Sequence, residues 1–110
     1  MKKKLLFVSP EQFGYLSDHY YYCKYLKNHF EIDFLCFDKG LPKINEDGVN
    51  IIYLNYHQNK LQRLLYFIFY AIRITRKNIY DILLTDYFKM VFIIGLWGKA
   101  KLKIIDIKTG

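Results

Sequence analysis

Leu5-Leu6-Phe7-Val8 is an unbroken apolar run that stops at Ser9-Pro10. It is short enough for a strand, and it reads as one buried on both faces, spanning Lys3–Val8. Phe13-Gly14-Tyr15 then turns the chain into a helical pattern. A buried first strand, a Ser/Pro/Gly loop and a following helix are how a parallel α/β sheet begins. Ligands of such open sheets sit outside the carboxyl ends of the strands. Chemistry is therefore expected in three loops: after Val8, after Leu84 and after Ile107.

The rest of the chain continues the pattern. Ser17 or Asp18 is a good cap for a helix running to about His29, with Leu16, Tyr20, Cys23 and Leu26 recurring at helical spacing. The Tyr20-Tyr21-Tyr22 run puts aromatics on more than one face, so not all can be buried. Glu31–Phe37 reads as a second strand with both faces partly covered. The stretch from Asp38 to Gly48 holds Gly40, Pro42, Asn45, Asp47 and Gly48, which is loop chemistry. Asn50–Leu54 is a third strand. Asn59 can cap a helix from Lys60 to Lys77, with Leu61, Leu65, Ile68 and Ile72 as its expected core stripe. Tyr66, Phe67, Phe69 and Tyr70 leave that helix little polar surface, so it is either buried on two sides or placed at an interface. Tyr80–Thr85 is a fourth strand, Phe88–Trp97 another apolar helix ending near Gly98, and Lys101–Ile107 a fifth strand. Strands separated by helices predict a five-stranded parallel sheet with helices on both faces. The last strand is followed only by Lys108-Thr109-Gly110, with no helix to cover its second face. The expectation is a truncated domain whose uncovered strand and apolar helices favour self-association.

Composition narrows the function classes. The 110 residues are one domain at most, and 53% hydrophobic and 19% aromatic content argues against disorder. Residues 1–59 balance seven Lys/Arg against seven Asp/Glu. Residues 60–110 hold ten against three and so carry the whole formal charge of +7. That asymmetry points to an anionic partner for the second half. Nucleic acid fits poorly, because the aromatics fall at helical core spacing and no RRM, KH or helix-turn-helix signature is present. Cys23 and Cys36 have neither disulfide-framework nor zinc spacing and read as buried thiols of a cytoplasmic protein. His19, His29 and His57 are scattered without metal spacing. Lys2-Lys3-Lys4 before an apolar run is too short for a signal peptide, and the run from Leu64 to Ile72 is too short to span a bilayer. There is no GxGxxG dinucleotide motif.

Three strings carry a resemblance: Lys-Leu-Leu-Phe-Val-Ser-Pro leading to Phe-Gly-Tyr, Tyr-Asp-Ile-Leu-Leu-Thr-Asp-Tyr, and Lys-Ile-Ile-Asp-Ile-Lys-Thr-Gly. Together the chain resembles the N-terminal Rossmann-like domain of GT-B glycosyltransferases, the group 1 / family 4-like class of bacterial envelope sugar transferases. The resemblance covers residues 1–110 as a pattern of strands and loops. It implies the acceptor-side half of an enzyme that moves a hexose from a nucleotide-sugar to a bacterial envelope glycan or lipid-linked acceptor. The nucleotide-sugar would be held by a C-terminal domain absent from these residues, so this chain alone is expected to be inactive. No cofactor is implied.

The candidate site residues follow from the three loops. Ser9, Phe13, Gly14 and Tyr15 are either the acceptor-facing wall of a cleft or an ordinary strand-to-helix turn in which Gly14 supplies a positive φ. Asp86 and Tyr87 follow the fourth strand, where Asp86 is either an acceptor contact or a helix cap. Asp106, Lys108 and Thr109 end the fifth strand and either offer a carboxylate and an ammonium to a sugar hydroxyl or a phosphate, or are an ordinary solvated strand end. Arg63, Arg73, Arg76 and Lys77 flank the aromatic middle of the second helix. They suit peripheral contact with the anionic inner face of the plasma membrane, or else are the solvated basic ends of a core helix. The alternative function is a non-catalytic module that docks on a membrane surface or a protein partner.

Overall fold

The computed structural model of the protein describes residues 3–15, 17–56, 58–86, 94 and 98–106, and for residues 17–19, 86, 105 and 106 the backbone alone. The described residues form strands β1 (Lys3–Val8), β2 (Phe30–Asp38), β3 (Val49–Asn55), β4 (Ile82–Asp86) and β5 (Leu102–Asp106), with helices α1 (Ser17–Leu26) and α2 (Lys60–Lys77). Every neighbouring pair runs parallel, in the order β3-β2-β1-β4-β5. This is the α/β, Rossmann-like sheet expected from the sequence, with β1 at its centre.

The uninterrupted apolar run of β1 feeds two cores, because successive side chains point to opposite faces. Leu6 and Val8 join Leu35, Phe37, Leu54, Leu83 and the inner residues of α2. Leu5 and Phe7 join Ile32, Phe34, Cys36 and, beneath α1, Cys23 and Phe13. The rings of Phe7 and Phe34 stack with centroids 4.9 Å apart, and Phe13 meets Phe34 edge-on at 5.0 Å.

Helix α1 ends at Leu26, three residues short of the expected His29. Lys27–His29 form a turn in which the His29 N–H donates to the Leu26 carbonyl, and β2 opens at Phe30. Tyr21 and Tyr22 are exposed while Tyr20 packs partly against the core, as the tyrosine run requires.

The inner face of α2 differs from the expected stripe. Phe67, Ile68, Ala71 and Thr75 are its buried residues, whereas Leu61 is 62% exposed and Leu65 is 38% exposed. The helix is apolar on nearly all sides, so hydrophobic spacing alone leaves its rotation open. Two contacts decide it. Phe67 packs on Phe37 with centroids 4.7 Å apart, and the small Ala71 lets the helix approach the sheet.

A helix over Phe88–Trp97 lies outside the described residues except at Ile94, which is helical and buried. The Gly98 N–H donates to the Ile94 carbonyl at 2.7 Å, where a Cβ on Gly98 would stand 2.6 Å from that oxygen. On the α1 side of the sheet, Ile82 and Leu84 are half-buried and Leu102 and Ile104 are exposed. Between β2 and β3 the crossover is a loop of residues 39–48 with no helix, although parallel connections usually contain one. Ile44 of that loop packs on the α1-side core, and Glu46 accepts hydrogen bonds from Lys27 and Tyr20.

Candidate functional site: the carboxyl rim of the sheet

Strand order reverses between β1 and β4, so the chain leaves the two strands in opposite lateral directions. That switch point is where an open α/β sheet forms its ligand crevice. Val8 and Thr85 are paired across it. Residues 9–15 therefore flank one side of the switch point and the end of β4 flanks the other.

The first loop is tightly built. Ser9 is fully buried; its N–H donates to the Leu35 carbonyl at 3.0 Å and its hydroxyl accepts from the Glu11 N–H at 3.3 Å. Gln12 is buried and clamps the loop to the one after β2. Its amide donates to the Leu41 carbonyl at 2.8 Å, and its carbonyl oxygen accepts from the backbone N–H groups of Lys39 and Leu41. A buried amide with partners on both its ends is satisfied, which makes the clamp stable rather than costly. Gly14 has φ of 95°, the left-handed region that glycine enters without strain. Tyr15 is exposed, and its hydroxyl donates to the Pro42 carbonyl.

The expected site residues are thus divided. Ser9, Gly14 and Tyr15 lie at the rim. Phe13 lies in the same loop but is wholly buried against Phe34 and Tyr20, so its part is packing. Asp86 and Asp106 end β4 and β5 and are register partners, which sets two carboxylate residues side by side at the rim. Tyr87, Lys108 and Thr109 lie outside the described residues. Of the basic residues, Arg63 stacks on Tyr56 at 4.1 Å, near the start of α2, while Arg73, Arg76 and Lys77 are exposed towards its other end.

The structure adds residues that spacing did not mark. Lys39 pairs with Glu11 at 2.9 Å and stands 5.5 Å from the Tyr56 ring centroid, so Tyr56 has cations from both Lys39 and Arg63. Lys43 lies 4.8 Å from the Tyr53 ring and 3.8 Å from Asp38. Burial, then the neighbouring Cys36, Asp38 and Tyr15, raise the Tyr53 phenol above its ordinary pKa, and its buried hydroxyl has no hydrogen-bond partner among the described residues. The buried Thr85 hydroxyl, beside the switch point, also has none. One signal was present in the sequence: a loop after a parallel strand must leave from the carboxyl rim, so Lys39 and Lys43 had to be near it. The rim as a whole offers cations, phenols and a hydroxyl, a set suited to hydroxylated or anionic groups.

The opposite rim holds an open hollow of about 710 Å³ lined by Lys4, Phe30–Asp33 and Gly48–Asn50. Its Asp33 carboxylate is taken up by the Tyr80 hydroxyl and by the Asn50 amide at 3.3 Å. That leaves it less free for chemistry than the carboxyl rim. Cys23 and Cys36 are free thiols pushed up by burial to about 12 and about 11, so neither is a ready nucleophile. No group of three or more His, Cys, Asp or Glu among the described residues could hold a metal ion. None of the described helices is long and apolar enough to cross a membrane. No family model, curated protein or solved structure matches this chain.

Proposed function

We propose that the chain is the acceptor-side Rossmann-like domain of a GT-B glycosyltransferase. In that role it positions a hydroxyl of an envelope glycan or lipid-linked acceptor for attack on the anomeric carbon of a hexose. The nucleotide-sugar would be held by a second domain outside these residues. The glycosidic bond would form as the bond to the nucleotide diphosphate breaks. This chain contributes orientation, which converts a bimolecular encounter into a nearly intramolecular one. The observation that carries the reading is the strand order, which sets the Ser9–Tyr15 loop and the end of β4 on either side of the reversal. The argument from fold to activity is one of analogy.

Two features of the rim support it. Tyr15 and Tyr56 expose rings of the kind that stack on sugars, and Lys39 and Lys43 add cations at the same lip. The same reading puts the chain in the cytoplasm, at the inner face of the plasma membrane. Its support is α2, which carries five Lys/Arg and no Asp/Glu, and which exposes Leu61, Leu65, Tyr66 and Phe69. A non-catalytic module docking through α2 is the second reading that this helix favours.

The test is an amide-resolved NMR titration of the chain with alkyl hexosides and, separately, with a nucleotide-hexose. Alkyl hexosides should shift Ser9, Gly14, Tyr15 and Asp86, and the nucleotide-hexose should leave them unmoved. Shifts confined to the amino rim, or none from any hexoside, would remove the acceptor assignment and favour the docking module.

A further inference from the structure

Along α2, positions 61, 65, 69, 73 and 77 form one i, i+4 ridge: Leu61, Leu65, Phe69, Arg73, Lys77. Three apolar residues lead into two cations, and all five are exposed. Where the ridge turns cationic, a hollow of about 270 Å³ opens, lined among the described residues by Tyr70, Arg73, Ile74 and Lys77. Arg73 and Lys77 make no ion pair with any described residue. Like charges four residues apart on a helix repel and destabilise it slightly. The C-terminal dipole of α2 favours Lys77 in the last turn, but its influence fades by Arg73, a turn further in. The two are therefore held together at the mouth of a cavity, with no counter-ion among the described residues.

We infer that this hollow seats the phosphate of an anionic lipid headgroup. Arg73 and Lys77 are its cationic clamp, Tyr70 supplies a hydroxyl donor, and Phe69 enters the acyl boundary beside them. The inference rests on the peripheral membrane reading above and goes beyond it by naming a seat. Three observations select a bilayer phosphate. The helix has no carboxylate to repel an anion. Phe69 is 71% exposed one turn from Arg73, where a soluble anion gives it nothing to bury against. Leu65 and Leu61 continue the same apolar line towards the carboxyl rim, so a lipid held here lies along the helix that leads to the proposed acceptor crevice.

The experiment is co-sedimentation of the 110-residue chain with vesicles of phosphatidylcholine alone, phosphatidylcholine with phosphatidylglycerol, and phosphatidylcholine with phosphatidic acid. The wild type should bind both anionic mixtures and ignore phosphatidylcholine. Arg73→Gln/Lys77→Gln should weaken binding about thirtyfold, the effect of two surface cations. The control Lys3→Gln/Lys24→Gln removes the same charge from exposed positions on β1 and α1 and should change binding less than about threefold. Tyr70→Phe should weaken phosphatidic acid binding with the circular-dichroism spectrum unchanged. Equal losses in the two charge pairs would mean diffuse attraction and overturn the seat while sparing the membrane reading. No binding of the wild type to any vesicle would overturn both. Inorganic phosphate, followed by NMR at the Arg73 and Lys77 amides, should bind weakly, and tight binding without a bilayer would overturn the lipid source.

Discussion

A Cβ placed on Gly14 would stand 2.6 Å from Cδ1 of Ile44, which lies 30 positions along the chain in the loop after β2. The loops after β1 and β2 therefore meet at a point where only a bare backbone fits. Gly14 also has φ of 95°. Gly14→Ala should cost about 2 kcal/mol in urea unfolding, part from the backbone conformation and part from the contact. Adding Ile44→Gly should recover the contact part alone, because the Ile44 Cβ would also stand 2.8 Å from the added one. A double variant no more stable than the sum of the singles would show that the two loops do not press on each other.

The rotation of α2 gives a second test. Phe67 stacks under the helix on Phe37, and Leu65 faces out. Phe67→Ala should cost about 4 kcal/mol, as for large aromatic truncations in a packed core. Leu65→Ala should cost less than about 1 kcal/mol. The reverse ranking in thermal or urea melts would turn the helix over.

Tyr80 is buried, and its hydroxyl donates to the Asp33 carboxylate. Burial, and then that bond, raise the phenol well above its ordinary pKa. Tyr80→Phe should cost about 1.5 kcal/mol, the usual contribution of a hydrogen bond to a charged group. Asp33→Asn in the Tyr80→Phe background should then be close to neutral, because no buried donor is left waiting. A neutral Tyr80→Phe would mean that water satisfies Asp33 instead.

The Glu46 carboxylate is held below its ordinary 4.5, chiefly by the hydrogen bond from Lys27 Nζ at 2.6 Å, and Tyr20 adds a second donor. The Lys27 amine is correspondingly raised above 10.5 by Glu46. A carboxyl lowered by folding stabilises above its ordinary pKa, and that contribution fades as pH falls through the folded value. A raised amine stabilises below its ordinary pKa and fades as pH rises through the folded one. The stability gap between wild type and Glu46→Gln should therefore be widest between those limits and narrow in acid. Denaturant midpoints taken across pH check it; a gap that stays constant down to pH 2 would place the anchor elsewhere.

Much of the fold could be read from hydrophobic pattern. Leu5–Val8, buried on both faces, marked the central strand, and Asn59 marked the start of α2, where its side chain accepts from the Leu61 and Gln62 N–H groups. The inner face of α2 was illegible, because Leu65 and Phe67 are equally apolar and only the partner Phe37 distinguishes them. The rim was half legible. Ser9 and Gly14 announced a turn, but Phe13 looked equally available for a ligand until its contact with Phe34 placed it in the core. Gln12 gave no local sign of its role, since its partners Lys39 and Leu41 are 27 and 29 residues away. Asp86 and Asp106 become neighbours only through strand register, which no single-sequence pattern encodes.

The ten-residue crossover between β2 and β3 has one further implication. Where a helix would have roofed the α1-side core, Ile44 does so from a strip of chain that also carries Lys39, Lys43 and the tether to Gln12. The exposed cations of this lip and the cohesion of the roof are thus written in the same few residues. Remodelling the lip disturbs the roof at once, so substitutions here are bound to register as changes in melting temperature.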